Sequence, residues 1–249
     1  MKIQYDFHIH SCLSPCGDND MTPQNIVNMS KIMGYDVIAL TDHNTSRNCP
    51  AVIKAGKEAG LLVIAGMELC TSEEVHIVCL FPDLEKAMAF SDYVYTTLPP
   101  VKNKPAIFGD QLICDENDEV IGTEEKLLIT ASSISCMKVV ETVKKYGGIC
   151  YPAHIDRSSF SILSNLGMLD ESFGFTCAEI FDILKEQELK EKHPYLNNLK
   201  IISDSDAHYL EKMRIPEQYI EIPELTVNNI FRFLQNKGVD NLGTIDPDY

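Results

Sequence analysis

Six histidines occupy positions where their imidazoles could meet one another and nearby carboxylates. His8 and His10 form His-x-His at the end of an apolar run, Asp42-His43 follows a second run, and Glu68 follows a third. His76 lies inside a fourth run, and His154 closes Pro152-Ala153-His154. Asp206 and His208 form Asp-x-His just after a run at 200–203. Side chains at i and i+2 share one face of a strand, so His8 and His10 can reach the same ion. The donors are nitrogen and oxygen with no obligatory thiolate, which suits Zn, Mn or Fe. They exceed what one ion needs, so two or three divalent ions are expected, with a carboxylate bridging. A lone buried histidine is usually a core residue; the joint placement of six after or within strands carries this reading. The seventh, His193, sits in the charged stretch Lys190-Glu191-Lys192-His193-Pro194 and reads as a surface residue.

Anion binding needs fixed cations, and the chain has four arginines. Arg157 lies three residues after His154, and Arg47 four after His43. Guanidinium geometry fits phosphate oxygens, so Arg157 is the first candidate for a phosphate contact, Arg47 the second and Arg214 a third. Cys12 and Cys16 lie in the loop after His10. They are read first as small loop thiols, with metal ligation or redox sensing as the alternative.

The elements that must position these groups follow from apolar periodicity. Strands are expected at 3–7, 36–40, 61–65 and 75–81, and again near 149–153, 178–181 and 200–203. Helices are expected from Thr22-Pro23 to Met33, stopped by Gly34, and over 50–59, stopped by Gly60. Further helices are expected over 135–146 and about 226–237. The alternation predicts βα units with parallel strands, and in a parallel barrel the residues above would share the rim at the strands' carboxyl ends. Residues 83–133 break the rhythm. They contain a proline-rich stretch at 99–105 and a predicted hairpin over 111–121, and are expected to be an insertion within a single domain spanning 1–249.

The chain has 249 residues, 45% of them hydrophobic, and a formal net charge of −16. That balance argues against binding nucleic-acid backbone, which requires a basic surface. No apolar run reaches the ~20 residues of a membrane span, and the N-terminus lacks a signal-peptide pattern. Nine unpaired-looking cysteines suit a reducing compartment, so a cytoplasmic location is expected.

The segments Asp6-Phe7-His8-Ile9-His10-Ser11, Thr41-Asp42-His43-Asn44, Gly66-Met67-Glu68, Pro152-Ala153-His154 and Ser205-Asp206-Ala207-His208 resemble, in order, the motifs of the PHP (polymerase and histidinol phosphatase) family. The resemblance implies an α/β fold, a distorted (β/α)7 barrel, and up to three metals. It implies that His8, His10, Glu68 and Asp206 hold one ion. Glu68 would bridge to a second, completed by His76 and His154. Asp18, His43 and His208 would hold the third. Asp18 lies four residues before Thr22, as the family's loop aspartate does, but the loop here is longer and Asp20 is an alternative.

Free-standing members of that family include phosphoesterases for small metabolites. The leading expectation is therefore hydrolysis of a small phosphorylated metabolite or nucleotide. Two close cations lower the pKa of a shared water, and the resulting hydroxide is the expected nucleophile. Asp206 or a neighbouring histidine such as His208 would assist proton transfer, and Arg157 would hold phosphate. A nuclease is the second reading, and a non-catalytic metal-binding regulator the third.

Overall fold

A computed structural model describes residues 1–216, 218–235 and, for the backbone, 242–244. Strand β1 (Lys2–Ile9) leads to helix α1 (Pro23–Met33), β2 (Val37–Leu40), α2 (Cys49–Ala59) and β3 (Leu62–Cys70). Then come β4 (His76–Phe81), α3 (Leu84–Thr97), a single turn α4 (Pro105–Phe108), and the hairpin β5 (Leu112–Cys114) and β6 (Val120–Thr123). The chain continues through α5 (Cys136–Lys145), β7 (Ile149–Pro152), α6 (Ile162–Leu166), β8 (Cys177–Glu179), α7 (Glu186–Lys192) and β9 (Lys200–Ile202). It ends with β10 (Gln218–Glu221), α8 (Val227–Gln235) and β11 (Leu242–Thr244). Residues 236 and 237, where the last helix was also expected, lie outside the described residues.

The fold is the expected distorted α/β barrel. One ladder runs β1-β2-β3-β4-β7, and β8 pairs with β9 in parallel. Two contacts close the ring. Ile155 N donates to Glu179 O at 2.9 Å, joining β7 to β8, and His10 N donates to Ala207 O at 3.0 Å, joining the end of β9 to β1. Strands β10 and β11 extend the sheet antiparallel beyond β1.

The expectation of uniformly parallel strands needs correction. β1, β2 and β3 are parallel, but β4 is antiparallel to both β3 and β7. The link from Cys70 to His76 is a tight turn closed by Thr71 N and Val75 O at 2.9 Å. A parallel return would need a long crossover. β3 also runs on to Cys70, so Glu68 lies inside the strand and not after it. Because β4 runs the other way, His76 at its amino end reaches the same rim as the carboxyl end of β3.

Two apolar clusters lie on either side of the sheet. Ile3, Tyr5, Phe7, Val37, Ala39, Ile64, Val78, Leu80 and Tyr151 fill the interior. Ile9, Ile38, Leu40, Val63, Ala65, Met67 and Ile77 pack outward under the helices. On β1 the phase changes. The register with β2 shifts by one residue between Asp6 and Ile9, a bulge. Ile3, Tyr5 and Phe7 point inward before it, yet Ile9 points outward after it. Strict alternation would send His8 and His10 into the helical layer; the bulge turns both into the barrel mouth.

Residues 84–97, expected within the insertion, form α3, whose Ala87, Phe90 and Val94 join the outer core. The part outside the strand–helix layering therefore begins after α3. Its hairpin β5–β6 is anchored to the loop after β1 by Leu112 N donating to Cys12 O at 3.0 Å. Asn48 braces both, donating to Ser11 Oγ at 2.9 Å and accepting from Cys114 N at 3.0 Å. Thr22, expected to cap α1, instead donates its hydroxyl to Asp118 Oδ2 at 2.7 Å. Among the described residues, no helix is long and apolar enough to cross a membrane.

Candidate metal centre

Glu68 lies at the centre of the barrel mouth, fully buried. Its Oε1 is 2.9 Å from His76 Nδ1, 3.1 Å from His154 Nε2 and 3.3 Å from His8 Nε2. Its Oε2 is 2.9 Å from His43 Nδ1 and 3.4 Å from His10 Nε2. Asp206 Oδ1 is 3.4 Å from His8 Nε2 and 3.3 Å from His10 Nε2. Three groups of donor atoms, each within 4.8 Å of one another, could each hold an ion: His8, His10, Glu68 and Asp206; His43, Glu68 and His76; and His10, His43 and His208. His193 stays outside, partly buried at the end of α7.

The outer partners fix which ring nitrogen faces inward. His8 Nδ1 is 2.8 Å from Glu179 Oε2 on β8, so it donates there. Ser14 gives its one proton to Asp42 Oδ1 at 2.7 Å, so it accepts from His10 Nδ1 at 2.9 Å. His208 Nδ1 donates to the Asp206 carbonyl at 3.0 Å. With Nδ1 protonated in each case, Nε2 presents a lone pair to the cluster. His8 Nε2 and His10 Nε2 are then 3.1 Å apart, a spacing that requires a cation between them. His43 Nδ1, Glu68 Oε2, His154 Nδ1 and Asp206 Oδ1 are buried without a hydrogen-bond partner. Buried polar atoms left this way are costly, and a bound cation satisfies them. The residues present therefore fit metal ions.

The electrostatics agree. Burial alone would raise the Glu68 carboxyl, but His76, His8 and His43 hold it well below the usual range. Asp206 is likewise lowered against burial, by His8 and His10. Burial would lower His8, yet Glu179, Glu68 and Asp206 raise it well above its usual value. For His76 burial dominates and lowers it to about 4. A field this negative holds protons when empty and cations when they are available.

Backbone strain accompanies the site. His154 and Asp206 have φ of 31° and 49°, in the left-handed region. Each such residue costs on the order of 1–3 kcal/mol, and strain of this kind collects at functional sites.

The loop after His10 departs from expectation. Neither Asp18 nor Cys16 joins any of the three donor groups. Its Oδ1 accepts from Asp20 N at 2.8 Å, and Asp20 is exposed. Cys16 faces the histidines instead, with Sγ 3.1 Å from His43 Nε2. Cys16 is an exposed residue; desolvation of its sulfur would push the thiol up, but His43 and His208 outweigh that and bring it to about 6. Cys12 is buried with its Sγ 3.6 Å from Cys114 Sγ.

The arginines separate as well. Arg157 Nη1 is 2.8 Å from Asp206 Oδ2, and its guanidinium lies 4.2 Å from the Phe181 ring centroid. Its side chain is 39% exposed, open at the cluster's edge. Arg47 is not a cation of the mouth; it pairs with buried Glu124 in the inserted segment at 2.7 Å. Arg214 also turns away, donating to the Phe181 carbonyl at 3.1 Å. Beside the cluster a cavity of about 510 Å³ opens between Cys16–Asn19, Ile107–Asp110 and Tyr209. Glu179 and Ser14 were not singled out from sequence. Glu179 lies on a strand that was expected, but no histidine neighbours it in the chain.

Comparison with known proteins adds four findings. The model of the PHP domain family matches residues 6–224. A 5'-3' exoribonuclease of Haemophilus influenzae is 36% identical over 83 residues, 32% of this chain and 29% of that protein. Among solved structures, a lesion-specific endonuclease from Pyrococcus furiosus superposes with a TM-score of 0.71 at 17% identity, over 99% of this chain and 60% of that one. A candidate metal-dependent phosphoesterase from Bifidobacterium adolescentis superposes with a TM-score of 0.58 at 19% identity, over 95% of this chain and 96% of that one. The chain thus spans less than two thirds of either nuclease, and at these identities the structural likeness concerns the fold.

Proposed function

The chain belongs to the PHP domain family, and on that premise we propose that it is a metal-dependent phosphoesterase acting on a small phosphorylated metabolite or nucleotide. The observation that carries this reading is the fully buried Glu68 carboxylate with five imidazole nitrogens within 3.4 Å. When bound, two or three divalent ions supply Lewis acidity and a water of lowered pKa.

The chain's own residues do the rest. His8, His10, Glu68 and Asp206 would hold one ion; Glu68 would reach a second with His76 and His154, and His43 with His208 would hold a third. Glu179 and Ser14 keep His8 and His10 in the ligating tautomer. Arg157, half open to solvent and stacked on Phe181, supplies a charged donor to a phosphate oxygen beside the cluster. Asp206 lies between that guanidinium and the two inner histidines, and Asp206 or His208 moves the proton. A net charge of −16 favours a small ester over a long polyanion.

A second reading, a nuclease, is favoured by the 36% identity over 83 residues to an exoribonuclease. One preparation tests both readings: elemental analysis for bound metal, with phosphate or nucleotide release from small esters, nucleotides, single-stranded DNA and RNA. Bound metal with turnover of a small ester supports the first reading. Turnover of RNA or DNA alone replaces it with the second.

A further inference from the structure

The motifs that resemble the family assign an aspartate to the loop after His10, yet here the loop presents a cysteine to the histidines. Cys16 Sγ is 3.1 Å from His43 Nε2. His43 and His208, with His10, bring their donor nitrogens within 4.8 Å of one another. His43 is 5% exposed; its Nδ1 lies 2.9 Å from Glu68 Oε2, and its Nε2 is the ring nitrogen that faces Cys16.

The loop backbone holds this arrangement. Gly17 N donates to Ser14 O at 2.8 Å, and a Cβ at Gly17 would collide with the Ser11 carbonyl, so the tight bend after Cys16 requires glycine. Asp18 N donates to His208 O at 2.9 Å, which ties the loop to the Asp-x-His segment. The Asp18 carboxylate, taken up by the Asp20 amide, points elsewhere. The thiol therefore stands where a carboxylate donor was expected.

We propose that Cys16, in place of Asp18, is a ligand of the ion held by His43 and His208. The proposal rests on the reading of the cluster as a metal centre and adds to it the identity of one donor. On binding, the Cys16 S–H bond breaks, its proton leaves to solvent, and the sulfur donates its electron pair to the ion. A thiolate among imidazoles shifts that position toward Zn or Fe and away from Mg or Mn, which prefer oxygen.

Cobalt(II) loading of the metal-free full-length chain tests this, because a Co–thiolate bond gives a sulfur-to-metal charge-transfer absorption in the near ultraviolet. The wild-type chain should show that absorption. Cys16→Ser should lose it and bind cobalt at that position more weakly, by at least the roughly 10- to 100-fold seen for loss of an outer partner. Cys16→Asp should restore cobalt content without the absorption, which separates ligation from damage to the loop. Absorption that persists in Cys16→Ser, or cobalt bound to wild type without it, overturns the assignment of Cys16 alone. If equilibrium dialysis with elemental analysis finds no bound cobalt in wild type, the metal centre itself falls as well.

Discussion

His8 Nε2 and His10 Nε2 lie 3.1 Å apart while each ring commits Nδ1 to a partner outside the cluster, Glu179 for His8 and Ser14 for His10. Two imidazole lone pairs at that spacing repel unless a proton or a metal ion lies between them. The geometry thus links metal content to protonation and to stability.

Removing the metals should make stability depend on pH through the histidines. His8 and His154 are raised above 6.5 by the surrounding carboxylates, and His43 by Cys16 and Glu68, against the effect of burial. A raised histidine stabilises the fold fully below its unfolded value and loses that contribution as pH rises through the folded value. The chelated protein should therefore melt at progressively lower temperature above about pH 6.5. The metal-loaded protein should not follow that trend, and thermal unfolding of both forms across neutral pH compares them.

Glu68→Gln removes the charge that five imidazoles share. Metal content and hydrolysis should fall together, each by at least roughly 10- to 100-fold. Full metal content with full activity would sink the bridging role.

Glu179→Gln keeps the shape of the His8 partner but removes its charge. The metal affinity of the His8–His10 position should drop by about 10- to 100-fold, as for other outer partners of ligating histidines. Isothermal titration of the chelated protein with zinc would measure it.

Arg157→Ala should leave bound metal unchanged and lower kcat/KM on the order of 10²-fold. Arg157→Lys should recover little, because a point charge cannot reproduce the planar fork over Phe181. Unchanged hydrolysis in the alanine variant would remove Arg157 from the phosphate site.

Arg47→Ala should behave differently. Its partner Glu124 is buried, but the guanidinium end is 36% exposed, so loss of the pair should cost about 1 kcal/mol of stability. Turnover at saturating substrate should stay near wild type. A loss as large as that expected for Arg157 would place Arg47 in the site after all.

The sequence by itself determined the barrel class and most of the donor set. The histidines of the cluster lie at the ends of apolar strands or just after them, and that placement is legible in the sequence. Three features needed the tertiary structure. The bulge in β1 is invisible in sequence, because Phe7 and His8 share the interior only through a register shift against β2. The reversal of β4 depends on a five-residue turn whose hydrogen bonds, not its composition, dictate an antiparallel return. The approach of Cys16 Sγ to His43, and the pairing of Arg47 with Glu124, depend on how loops fold against segments remote in the chain. Periodicity encodes what a strand shows to its two faces. Loops carry no such period, so only their packing decides which side chain reaches the metals.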